Sequence, residues 1–234
     1  MAILTANGTV DATCGRNGTS TDEAKNWTSY GKSSVTIGVA YTGSINVALV
    51  KFTTPDFTGE CTNLYIKLPI IKGSASTAPT SYSMYFAIAS SDANKASYAV
   101  TKRVDSSVDA YQLANGTVSV TGLTASLSEN TCAKMSINAS SSNKISSIKP
   151  KTTYYLYLWP TDATSNKVVQ NWWSTAYQSV VVTYKTHSNG VIIPNSSGTL
   201  EKYELYIGDS NGVTVPYDIY VYDSTLGMIE CVTD

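Results

Sequence analysis

Tyr82, Met84, Phe86 and Ile88 alternate without a break with Ser83, Tyr85, Ala87 and Ala89. A period of two is what a strand with one buried face requires, and a one-residue slip would expose all four of the larger residues. The same period, or a short run apolar on both faces, recurs from Val35 onwards, while helical spacing is almost absent. Val35, Ile37, Val39 and Tyr41 alternate with small or polar neighbours, and Ile45–Phe52 is apolar on both sides, as a central strand should be. Leu64–Ile71 carries Pro69, which cannot donate to a ladder and predicts a strand end or an edge there. Ser97–Val104, Gly116–Leu123, Thr152–Pro160 and Ser179–Lys185 complete a set of about eight strands separated by Ser, Asn, Asp and Gly. That count and spacing predict an all-β fold, an antiparallel jelly-roll-type β-sandwich over residues 1–186. Thr21–Trp27 is a short helix candidate, and Lys167–Tyr177 reads as a helix or a long loop. The turn clusters and Pro194 of residues 187–200 predict a linker.

The remaining segment, residues 201–234, nearly repeats itself. Tyr203-Glu204-Leu205-Tyr206-Ile207 is followed one residue later by Asp209-Ser210, and fourteen residues on Tyr217-Asp218-Ile219-Tyr220-Val221 leads in the same way to Asp223-Ser224. A repeat of that length fits one strand and one looped connection per copy, and both faces of each copy are partly apolar. Because two strands alone are marginal in water, Tyr203, Leu205, Tyr206, Tyr217, Ile219 and Tyr220 are candidate docking residues of a small C-terminal β unit.

Composition narrows the classes of partner. With only 14% charged residues and a net charge of -1, the chain has no basic stripe for phosphate contacts, so nucleic acid is not expected. No apolar run of about eighteen residues is present, and the start lacks the marks of a signal peptide, so no membrane span and synthesis in a cytoplasm are expected. Cys14, Cys61, Cys132 and Cys231 are far apart with no CxxC pair, which favours buried free thiols over zinc or disulfides.

Two stretches carry resemblances. Thr28–Ile70 resembles the N-terminal half of DNRLRE-type sandwich domains, relatives of carbohydrate-binding modules. The match rests on the Tyr30-Gly31 turn, the alternating Val35–Val39, the strand end Val50-Lys51-Phe52 and the alternating Leu64–Leu68. Ile45-Asn46 stands where that family carries an arginine. The C-terminal repeat resembles the tandem Tyr-x-[Leu/Ile]-Tyr-[Ile/Val]-x-Asp-[Asn/Ser] units that close many virion proteins of gut siphophages. Leu226 and Gly227 stand where a Trp often follows. These resemblances imply a bacteriophage virion structural protein on the particle surface, a capsid decoration or a tail or fibre component. Other virion proteins would be its partners, in a homo-oligomer or larger assembly, with host or mucosal glycans as a second class of partner. A lectin-like carbohydrate-binding module is the alternative.

Catalysis finds little support in the residues. His187 is the only histidine and stands in a turn, where a solvated residue is expected. Glu201 and Glu204, three apart on a strand, point to opposite faces and cannot flank one bond. Asp11, Asp22 and Glu23 are the candidates for a structural calcium, but they lack the dense acidic pattern of a calcium loop, and neither a metal site nor a cofactor is expected. Aromatic residues are the better candidates. Trp172, Trp173 and Tyr177 lie in a polar stretch where an indole face can stack on a sugar ring, and Trp27 is a fourth candidate. Adjacent tryptophans on a strand face opposite ways, so one of the pair belongs to the core, and Trp159, ahead of Pro160, reads as structural.

Overall fold

The computed structural model describes residues 3–18, 28–40, 44–73, 78–92, 112–161, 167–186, 190–194, 200–204, 207–208, 214–215, 220–223 and 227–230. The chain divides into two units, one of residues 5–184 and one of residues 1–4 with 185–234. The first is an antiparallel β-sandwich of ten strands: β1 (Ile3–Gly18), β2 (Ser34–Val39), β3 (Ile45–Thr53), β4 (Glu60–Lys72), β5 (Ser81–Ala89), β6 (Gln112–Thr121), β7 (Cys132–Asn138), β8 (Thr153–Pro160), β9 (Lys167–Trp172) and β10 (Ser179–Lys185). Among the described residues there is no α-helix.

Strands run in the order β1-β10-β4-β9-β2-β3-β8-β5-β6, with β7 on β4. From Thr9 to Gly18, β1 also pairs with β3, so the path β1-β10-β4-β9-β2-β3 returns to its start. The ladder folds over a core in which Leu64, Ile66, Leu68 and Ile70 of β4 and Val180 and Val182 of β10 meet Val50 and Phe52 of β3, Met84 and Ile88 of β5, and Leu156 and Leu158 of β8. Tyr82, Met84, Phe86 and Ile88 are all buried there, as their alternation requires.

The central position of β3 accounts for its two apolar faces. Ala48, Val50 and Phe52 enter the main core, while Val47 and Leu49 join Cys14, Ala87, Ala89, Tyr157 and Trp159 in a second cluster on the opposite side of the sheet. Cys14, Cys61 and Cys132 are buried free thiols. Burial pushes the Cys61 thiol up to about 11, which makes it a poor nucleophile. Cys231 lies outside the described residues.

Several expectations are corrected. Lys167–Tyr177 is neither helix nor loop throughout: Lys167–Trp172 is β9, hydrogen-bonded to β2 from Ser34 to Val39 and to β4 from Ile70 to Lys72. Its strand pattern is masked because Asn171 occupies an inward position, nearly fully buried, where its Nδ2 donates to the Pro69 carbonyl at 3.0 Å. Pro69 does not end β4. It faces Cys132 on the last rung of the β4–β7 ladder, and pairing with β9 begins at Ile70. The missing N–H therefore falls where one partner strand gives way to the next. β1 and β7 were not anticipated as strands, and Gly116–Leu123 begins earlier, at Gln112. Ser97–Val104 and Thr21–Trp27 lie outside the described residues.

In the C-terminal unit the expected linker contains a strand. β11 (Gly190–Pro194) pairs antiparallel with β12 (Leu200–Glu204), because Val191, Ile192 and Ile193 are strong strand formers. Two further short ladders follow, β13 (Ile207–Gly208) with β14 (Thr214–Val215), and β15 (Tyr220–Asp223) with β16 (Gly227–Glu230).

Candidate functional site

β9 places the two adjacent tryptophans on opposite sides, as alternation demands. Trp173 is half-buried against the main core, and its backbone N–H donates to the Ser33 carbonyl at 2.8 Å. Trp172 is 37% exposed and is the one aromatic among the described residues that stands out as exposed. Its indole Nε1 donates to Gln170 Oε1 at 3.1 Å. Gln170 lies two residues back on the same face, its Cα about 7 Å from that of Trp172 along the strand. The bond ties the N–H edge of the ring back to its own strand.

Register assigns the neighbours of that ring. Ser34 lies opposite Trp172 and Thr36 opposite Gln170 on β2, and Ile71 lies opposite Gln170 on β4. Directly paired residues share a face, so Trp172, Gln170, Ser34, Thr36 and Ile71 form one patch with no charged member. Tyr177 lies apart from it, half-buried in the turn that leads to β10, where its carbonyl accepts from Cys132 Sγ at 3.5 Å. Trp27 lies outside the described residues. Trp159 is buried in the second cluster.

A second polar-aromatic arrangement was not foreseen. Tyr30 Oη donates to Asp92 Oδ2 at 3.0 Å, and Tyr30, Tyr85 and Tyr155 pack half-buried against the second cluster, with the Tyr85 and Trp159 ring centroids 5.9 Å apart. Burial first, then Cys14 and Asp92, holds the Tyr30 phenol far above its ordinary value; burial and Asp92 raise Tyr155 in the same direction. The partners are 62 residues apart, so no local pattern announces them.

A raised phenol pKa contributes stability that is complete below the ordinary value of 10.0 and is lost as pH climbs above it, because the unfolded chain then releases a proton that the folded one retains. Urea midpoints of the wild type are expected to fall above pH 10 more steeply than those of Tyr30→Phe. Parallel curves would show that Tyr30 titrates normally.

Asp11 is spoken for. Its two carboxylate oxygens accept from Thr9 Oγ1 at 2.7 Å and Thr53 Oγ1 at 2.6 Å, at the bulge where β1 shifts register against β3. Asp22, Glu23 and His187 lie outside the described residues, among which no three His, Cys, Asp or Glu residues gather as a metal-binding group.

Of the candidate docking residues, Tyr203 lies in β12 opposite Val191, and Tyr220 lies in β15 opposite Glu230. Leu205, Tyr206, Tyr217 and Ile219 lie outside the described residues. The described parts of the two copies belong to different ladders and do not pair with each other. β12 also carries Glu201 and Glu204.

No known protein family and no curated protein matches the chain. Among solved structures, the arabinose-bound MgGH51 α-L-arabinofuranosidase is similar over 70% of this chain and 22% of its own, at 10% identity and a TM-score of 0.30.

Proposed function

We propose that the chain is a bacteriophage virion structural protein of the particle surface, a decoration or tail or fibre component, in which the sandwich is displayed and the C-terminal β unit docks onto another virion subunit. The observation that carries this reading is the tandem Tyr-rich unit, Tyr203–Ser210 and Tyr217–Ser224, which falls in the C-terminal unit of the chain. The pattern resembles the closing units of virion proteins, and a short Tyr-rich β unit with two partly apolar faces suits an interface. Adhesion to glycans is the second role, and the exposed Trp172 favours it. Taken alone, that residue suits the alternative of a lectin-like carbohydrate-binding module.

The test is an inventory of purified particles of the phage that encodes the chain, for wild type and for a variant lacking residues 187–234. The wild type is expected to co-sediment in a fixed ratio to the major capsid protein. The truncated form is expected to remain soluble, to melt cooperatively and to be missing from particles. A chain absent from wild-type particles removes the virion reading. Full incorporation of the truncated form removes the docking role, and a truncated form that cannot fold would assign the repeat to the core.

A further inference from the structure

The geometry points to a binding platform for neutral hexopyranose glycans, built on the β9–β2 face from Trp172, Gln170, Ser34 and Thr36. This inference rests on the adhesive half of the proposed function and is independent of the virion half. Three observations carry it. The first is posture: a bond from Trp172 Nε1 to Gln170 Oε1, two residues away on the same face, anchors an indole whose residue is 37% exposed. A pyranose presents an apolar patch of axial C–H bonds, and a flat, half-exposed indole is the surface against which that patch stacks. An unanchored tryptophan would spend entropy on each binding event; the Gln170 bond sets the ring beforehand.

The second observation is the row of polar groups at the rim. Ser34 lies directly across from Trp172 and Thr36 directly across from Gln170, so two hydroxyls and an amide share the ring's face. Hydroxyls both donate and accept, and the Gln170 Nε2 amide keeps both N–H groups when Oε1 is engaged. These groups match the alternating donors and acceptors around a sugar ring.

The third observation is charge. Of Trp172, Gln170, Ser34, Thr36 and Ile71, none is charged. None of these five residues could neutralise the anion of a sialylated or sulfated glycan, whereas a neutral hexose needs no countercharge. Ile71, 6% exposed, backs the patch with an apolar floor on the β4 side.

The experiment uses the full chain on immobilised gluco-, galacto- and manno-oligosaccharides, with sialylated and sulfated glycans as charge controls. Wild type is expected to bind at least one neutral series. Trp172→Ala is expected to weaken that binding by about tenfold or more, the loss of one good aromatic contact. Because Trp172 is exposed, its melting temperature should match the wild type's. Trp172→Phe should recover part of the affinity through its ring face, and Gln170→Ala should weaken binding because the indole loses its anchor. Binding unchanged in Trp172→Ala, preference for the anionic glycans, or no binding to any neutral series at millimolar glycan would each overturn the inference. A chain found in particles that binds no glycan would overturn this platform alone, and a chain absent from particles whose binding depends on Trp172 would overturn the virion reading alone.

Discussion

Phe86→Ala is expected to lower the stability of the sandwich by about 3–5 kcal/mol, the range for truncating a buried aromatic. Phe86 is 7% exposed and lies between Gly116 of β6 and Leu158 of β8 on directly paired rungs. Its ring covers Gly116 so closely that a Cβ there would come within 2.9 Å of ring atoms Cε1 and Cζ. A glycine offers no side chain to swing into the space the ring vacates, so the cavity stays open. The upper part of the range is therefore expected. Urea unfolding should show a lower midpoint with an unchanged slope. A loss below about 1 kcal/mol, the size of a surface effect, would place the ring outside the core. Gly116→Ala sharpens the test: it should destabilise the wild type by crowding the ring, yet cost less in Phe86→Ala, where the new methyl occupies the vacated volume. Additive effects of the two changes would contradict the contact.

Gly38→Ala should cost about 2–5 kcal/mol, for two reasons that add. Its φ of +127° lies where L-residues are rarely found. In addition, a Cβ would stand 2.2 Å from the Lys167 carbonyl oxygen, 2.7 Å from Tyr82 Oη and 3.0 Å from Val168 Cα. Two of those three atoms belong to the backbone of β9 and can move only if the β2–β9 ladder opens. Gly122 supplies the control. Its φ is +66° with nothing within 4 Å of the built Cβ, so Gly122→Ala carries only the conformational cost of about 1–2 kcal/mol. Thermal unfolding of both variants separates the terms. Equal losses at the two sites would mean that the close approach at Gly38 relaxes freely.

The contrast between β5 and β1 explains what could be read from the chain beforehand. β5 announces itself because every inward position holds a large apolar side chain. β1 does not, because it is packed too tightly to carry them: a Cβ on Gly8 would lie 2.4 Å from the Thr53 carbonyl, and one on Gly15 would lie 2.5 Å from Val35 Cγ1. Where backbones approach that closely, small residues replace the alternation that marks a strand, and the sequence looks like a loop. In β9 the inward Asn171 hides the pattern for a different reason, since it is there to satisfy the Pro69 carbonyl. At the candidate site, the opposite orientations of Trp172 and Trp173 followed from local alternation alone. Ser34 and Thr36 did not, because their proximity to Trp172 depends on cross-strand register, which long-range pairing decides.

Closure of the ladder through β1 bears on crowding. A protein held in many copies on one scaffold meets its own kind at a local concentration far above that of free solution, and exposed strand edges then invite chain-to-chain pairing. Since β1 bonds to both β10 and β3, only β6 and β7 among the described sandwich strands have a single partner. Both are polar on their outward positions: Asn115, Thr117, Ser119 and Thr121 on β6, and Lys134, Ser136 and Asn138 on β7. Lys134 and Lys67 also hold Glu129 beside the β7 edge, at 3.3 and 3.0 Å. An approaching strand would have to strip water from these groups without an apolar face to gain in return. These two described edges thus offer a second copy of the sandwich little to pair with.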